Sequence, residues 1–250
     1  MLVKDRTRRY SHCVTAAGEP IHPLRTAFAW GVHLYTAFGA VLGFVALDAV
    51  FRHDYRTAFI MLAVALLIDS SDGALARKIR VKHVTPWIDG ELLDNIIDYL
   101  TYVVVPVAIF MQPGILPEGT RYAAFTVLLA SAYGFCRTDA KGIIEHYFRG
   151  FPSYWNVMAF YFVVLRTHPV VNLLFVLTAV VFVFVPMRWL YPSRMEGMRG
   201  ITIALGVVWA IMGVVLIATL PQPSLVIGWL SLFYPVYYVA GSVVYHLRSA

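Results

Sequence analysis

Apolar and polar positions along the chain fall into long blocks and do not alternate. Apolar runs cover Phe28–Phe51, Ala58–Ile68, Leu92–Met111, Ala123–Phe135, Trp155–Leu165, Val170–Met187, Ile201–Leu220 and Leu225–Tyr245. A helix needs roughly 20 apolar residues to cross the hydrocarbon core of a bilayer. The blocks predict about eight spans, the three short ones being extended by polar ends. Only helices and closed barrels satisfy the backbone in lipid, and barrel strands would alternate with a period of two. The expected fold is an all-α, polytopic transmembrane helical bundle.

Composition strengthens that picture. The 250 residues are 60% hydrophobic and 14% charged, where a soluble domain carries about 25% charge. Charge placement orients the spans. With a cytoplasmic N-terminus and eight spans, 16 of the 20 Lys and Arg fall on the inner side, leaving Arg52, Arg56, Arg121 and Arg166 outside. That asymmetry follows the positive-inside rule and returns the C-terminus to the cytoplasm. The net charge of +6 thus reads as topology. Nucleic acid is not an expected partner, because the basic residues are scattered over several loops. No cleavable signal is evident. Residues 1–25 read as a basic interfacial segment on anionic lipid, or as a plain tail. Cys13 and Cys136 both fall on the inner side, which argues against a disulfide.

The ionisable residues divide the chain. Pro169–Met187 and Ile201–Tyr245 contain no Asp, Glu, Lys, Arg or His. Residues 26–250 therefore read as one transmembrane domain, with a catalytic core over about 26–190 and added C-terminal spans over 200–248 that serve as scaffold. The acids cluster instead around one inner turn: Asp69 and Asp72 at the end of the second span, then Asp89, Glu91, Asp94 and Asp98 at the start of the third. An Asp at membrane depth costs about 2.5–3.5 kcal/mol on insertion scales, so such residues are functional candidates. Asp69 and Asp72 share one helix face. Gly90, Asp94 and Asp98 form a stripe that rises roughly 6 Å per step. Joined by a short inner loop, the two helices run antiparallel, and their acidic faces can meet just inside the boundary. Four converging carboxylates carry a charge of −4, which two divalent cations would neutralise. Hard oxygen ligands favour Mg²⁺ or Mn²⁺, and a two-metal clamp suits phosphoryl chemistry. The plain alternative is a set of ordinary helix-end charges. Gly73 and Gly90 allow close approach of a ligand to the backbone, or simply pack helices. Arg77 reaches a phosphate, or anchors the interface.

These residues resemble the signature of the CDP-alcohol phosphotransferase family, D-x2-D-G-x2-A-R-x8-G-x3-D-x3-D. Asp69, Asp72, Gly73, Ala76, Arg77, Gly90, Asp94 and Asp98 match it position by position. The departure is a gap of twelve residues before Gly90 in place of eight, with the extra residues placed near His83–Trp87. That gap and the eight spans resemble the bacterial phosphatidylcholine synthase branch. The resemblance implies transfer of phosphatidyl from CDP-diacylglycerol to choline, giving phosphatidylcholine and CMP, with Mn²⁺ or Mg²⁺ and two ions held. It implies Asp69, Asp72 and Asp94 as metal ligands. Asp98 becomes the general base, also able to touch a metal, and Gly73, Ala76, Arg77 and Gly90 line the CDP-lipid site. An Asn-x-x-Thr pair common in the family's first span is matched here by His33 and Thr36. Thr36 fits, whereas His33 departs from the Asn, leaving a nucleotide contact or a hydrogen-bonded core residue as its two readings.

The acceptor is the least constrained part. Choline is usually held by aromatic faces, and Tyr133–Phe162 is rich in aromatics. Tyr133, Tyr154 and Trp155 are the candidate rings, with Glu145 or Asp139 adding negative charge. An interfacial aromatic belt is the plain alternative. Arg137 and Lys141 suit the lipid phosphate. Serine, inositol and glycerol 3-phosphate stand as alternative acceptors. A divalent-cation transporter stands as the non-enzyme alternative, but it should carry polar residues through the full membrane depth. The expected place is a bacterial inner (cytoplasmic) membrane with the site facing the cytoplasm. A homodimer stays open.

Overall fold

Long helices start where the chain supplies caps and stop where it changes hand. The computed structural model describes residues 22–137, 147–190 and 199–249. Helix α1 (Pro23–Phe51) opens with His22 accepting from the Leu24 amide and with Pro23 in the first turn, where a missing N–H costs nothing. Helix α2 (Tyr55–Ile79) is capped by Asp54, whose carboxylate accepts from the Thr57 amide at 3.0 Å. It ends at Arg80, which adopts the left-handed conformation (φ 59°). The turn α3 (Val81–Val84) follows. Asp89 then caps α4 (Gly90–Asp98) by accepting from the amides of Glu91 and Leu92, so this member of the acidic cluster serves as a helix cap. A π-helical stretch, Tyr99–Val104, links α4 to α5 (Val105–Phe110), making one continuous rod. Pro106 cannot donate in the ladder, and the wider π turns lie directly before it.

A 3-10 turn over Glu118–Ala124 leads into α6 (Phe125–Cys136). Helices α7 (Trp155–Leu165), α8 (Pro169–Phe184), α9 (Arg199–Ala218), α10 (Leu225–Ser231) and α11 (Phe233–Ser249) complete the order. The bundle is helical as expected, apart from a three-residue antiparallel pairing of β1 (Tyr147–Arg149) with β2 (Arg188–Leu190), Tyr147 opposite Leu190. Among the described residues, five helices are long and apolar enough to cross a membrane: Pro23–Phe51, Tyr55–Ile79, Gly90–Phe110, Gly200–Ala218 and Leu225–Leu247. Trp155–Leu165 and Pro169–Phe184 are shorter apolar helices, and α6 has 12 residues.

Helices α1 and α2 pack along each other, and α4 lies against α1. Glycines set that second approach. A Cβ on Gly39 would sit 2.7 Å from the Ile97 side chain, and one on Gly43 would sit 2.7 Å from Leu100. The main core joins residues from α1, α2, α5, α6, α7, α8 and α9, including Val50, Phe59, Phe110, Val127, Trp155, Val164, Val176 and Leu216. Outward faces remain apolar, with Leu34, Phe44, Leu67, Leu174, Val214 and Leu230 all more than half exposed. Large exposed apolar patches mark interaction surfaces, and such faces along membrane-length helices suit lipid.

Candidate active site

The signature hairpin folds so that three carboxylates meet. One oxygen each from Asp69 on α2 and from Asp94 and Asp98 on α4 lie within 4.8 Å of one another, and all three residues are half-buried. The cause is local. Asp94 and Asp98 are four apart on one helix, and α2 and α4 approach the same glycine-bearing face of α1. Like charges held this close repel unless a cation joins them. Three hard oxygens converging from two helices fit a divalent cation.

Asp72 lines the same cleft as the triad, together with Thr36, Gly39, Ile97 and Thr101. Its carboxylate is buried, 6% exposed, and accepts from Thr36 Oγ1 at 2.7 Å. Among the described residues the triad is thus Asp69, Asp94 and Asp98, with Asp72 tied to α1 beside it. Ala76 is half-buried and Arg77 exposed, one turn further along α2. A Cβ on Gly73 would lie 3.3 Å from the Arg77 guanidinium. Glycine therefore lets that arginine fold back over the helix.

His33 is hydrogen-bonded inside the bundle. It is buried, and its Nε2 lies 2.9 Å from Thr85 Oγ1. A Cβ on Gly90 would sit 3.6 Å from the His33 ring. Val81 and Val84 of the lengthened loop pack with Ala29 and Val32 of α1. Val81–Val84 thus form a small helix packed against α1, and the His33 contact to Thr85 lies at its C-terminal end.

The aromatic candidates separate. Trp155 is wholly buried and donates its indole N–H to Ser131 Oγ at 2.9 Å, as a core residue does. Tyr133 is half exposed, with its ring against Phe184 and the Arg137 guanidinium 5.9 Å from its centroid. The Tyr154 hydroxyl lies 3.3 Å from that of Tyr238 on α11, so the C-terminal spans reach the core. Asp139, Lys141 and Glu145 lie outside the described residues, as do Cys13 and residues 1–21.

The sequence reading missed Tyr102. Its hydroxyl donates to Asp69 Oδ2 at 2.8 Å, from within the π-helical stretch. The signal was present, since the stripe Gly90, Asp94, Asp98 continues at the same spacing to Tyr102. π turns are frequent at functional sites.

Comparison with known proteins agrees with this geometry. A phosphatidylcholine synthase from Pseudomonas aeruginosa is 43% identical over 80% of this chain and 84% of its own length. One from Borreliella burgdorferi is 37% identical over 75% of this chain and 80% of its own length. The chain belongs to the phosphatidylcholine synthase family. A further member from Legionella pneumophila is 42% identical over 67% of this chain and 66% of its own length. No family model matches the chain.

Proposed function

We propose that this phosphatidylcholine synthase family member transfers the phosphatidyl group of CDP-diacylglycerol to choline, releasing CMP. The observation that carries the chemistry is the convergence of Asp69, Asp94 and Asp98 inside a complete signature. In the reaction, the choline hydroxyl oxygen attacks the phosphorus that bears the diacylglycerol. Asp98 accepts the hydroxyl proton. The bond from that phosphorus to the bridging oxygen of the CMP half breaks, and CMP leaves with the electron pair.

Asp69 and Asp94, with Asp98 and Asp72 beside them, would hold Mn²⁺ or Mg²⁺, two ions in the fullest form. When bound, divalent metal supplies charge neutralisation for the diphosphate and for the departing CMP. Thr36 holds Asp72 in place, and its buried contact orients that carboxylate toward the cleft. Gly73, Ala76, Arg77 and Gly90 line the CDP-lipid side, with the Arg77 guanidinium available to a phosphate oxygen. Arg137, beside Tyr133, is suited to the lipid phosphate, and Lys141 is assigned to the same role.

The basic residues favour eight spans, both termini in the cytoplasm and the site at the inner face of a bacterial cytoplasmic membrane. A site there takes lipid from the side and choline from water, and returns CMP to water. The test gives purified protein CDP-diacylglycerol and a panel of labelled choline, serine, inositol and glycerol 3-phosphate, with and without EDTA. The expected result is phosphatidylcholine as the main lipid product, lost in EDTA and restored by Mn²⁺ or Mg²⁺. A product formed from another alcohol overturns the acceptor, and full turnover in excess EDTA overturns the metal.

A further inference from the structure

The acceptor's hydroxyl has to reach phosphorus beside Asp98, and in choline only an ethylene link separates that hydroxyl from the quaternary ammonium. The group that holds the ammonium therefore stands close to the acidic triad. Among the aromatic side chains, Tyr102 is bonded to the triad itself, through Asp69 Oδ2 at 2.8 Å. The π-helical stretch that carries Tyr102 packs against α7, and Tyr154 is the N-cap residue of α7. Tyr154 continues outward to Tyr238, hydroxyl to hydroxyl at 3.3 Å, with ring centroids 5.6 Å apart and nearly perpendicular. Trp189 stacks on Tyr238 at 6.0 Å and 21°. The row runs from metal-ligating carboxylate to the last helix.

Its chemistry suits a quaternary ammonium. That cation has no N–H to donate, so it gains nothing from hydrogen-bond acceptors as such. It is held by ring faces and by nearby negative charge. A phenol that donates its proton to a carboxylate gains electron density in the ring, which strengthens the face toward a cation. Tyr102 meets both conditions. The other candidate rings do not, since the Arg137 guanidinium already stands by Tyr133 and Trp155 is enclosed.

We infer that Tyr102 and Tyr154 receive the quaternary ammonium of the acceptor, and that Tyr238 on α11 positions Tyr154 for that task. The inference rests on the choline-transfer reading above. It gives the last helix, which carries no Asp, Glu, Lys, Arg or His before His246, a part in acceptor selection.

The test measures choline and CDP-diacylglycerol kinetics on the full-length protein in lipid nanodiscs. Tyr154→Leu and Tyr102→Leu should each raise the choline KM, by roughly thirtyfold where the contact is desolvated. The CDP-diacylglycerol KM should move less than about twofold for Tyr154→Leu. Tyr154→Phe keeps the ring face but loses the hydroxyl contact to Tyr238, so it should raise the choline KM only as far as Tyr238→Phe does and far less than Tyr154→Leu. Tyr238→Phe should raise the choline KM in wild type and add nothing on a Tyr154→Phe background, which a merely structural role would not produce. Should the leucine variants fail to fold, fluorinated phenylalanines at position 154 keep the shape while draining the ring face. The choline KM should then climb with each fluorine. A flat fluorine series, or leucine variants with unchanged choline KM in folded protein, overturns the inference while the choline reading stands. A wild type that ignores choline overturns both.

Discussion

The two ends of the bundle invite comparison. At one end Asp69, Asp94 and Asp98 converge in a narrow cleft with Thr36, Asp72 and Thr101. At the other end a cavity of about 670 Å³ is lined by His53, Arg56, Arg166 and His168, with Asp54, Tyr55 and Phe162. Asp69 and Asp54 are separated by 15 residues of one helix, about 22 Å along its axis. The far cavity is much the larger, yet it draws most of its lining from turns between helices: His53, Gly114, Arg166 and Pro221 all belong to such turns. Arg166 is engaged there in donating to the Pro221 carbonyl. The acidic end is small because its carboxylates converge, at a cost in repulsion that a bound cation would offset. Convergence of charge, and not volume, marks the end proposed as reactive.

That contrast can be broken most directly at Asp98. Asp98→Asn removes the proposed general base and should lower kcat by about 10²–10⁴-fold, measured as product lipid under saturating metal. Arg56→Gln at the far cavity should leave kcat within about twofold. Equal losses for the two variants would erase the distinction between the ends.

A smaller effect should separate the site from its support. Thr85→Val removes the partner of buried His33 and leaves a buried polar nitrogen unpaired, at about 1–3 kcal/mol. Thermal unfolding in detergent should shift downward, and the double variant with His33→Phe should lose less than the sum of the singles. Strict additivity would mean that the hydrogen bond does not fasten the lengthened loop.

The smallest effect belongs to the far end. Hydrogen bonds from Thr57, its side chain first and its amide next, hold the Asp54 carboxyl below the usual carboxylate range. Its contribution is therefore complete above the ordinary Asp pKa and fades as pH falls through the lowered value. Asp54→Ala should cost at most about 1 kcal/mol, because the cap is exposed and screened. The loss should show in melts at neutral pH and shrink in acid. A loss that grows in acid would contradict this account.

Much of the active end was legible from residue order alone. Spacings of three and four are translated directly into shared helix faces, so Asp69 with Asp72 and Asp94 with Asp98 needed no tertiary information. The apolar runs likewise dictated helices, because no other open structure satisfies the backbone in lipid. What spacing could not give was rotation of one helix against its neighbour. That rotation separates Asp72, which Thr36 holds, from the three carboxylates that meet.

The sequence by itself determined a helical membrane protein with one acidic, signature-bearing hairpin, since hydropathy and helical periodicity are local properties. The tertiary structure alone decided which partners each polar group takes. It paired His33 with Thr85 and enclosed Trp155 against Ser131. It also drew Tyr102 onto Asp69 and brought Tyr238, from the last helix, to Tyr154. Those pairings join residues 24 to 84 positions apart, and contacts at such separations depend on how helices pack. The close α1–α4 approach at Gly39 and Gly43, which sets how the site's helices meet, is fixed by side-chain volume across an interface that no single segment contains.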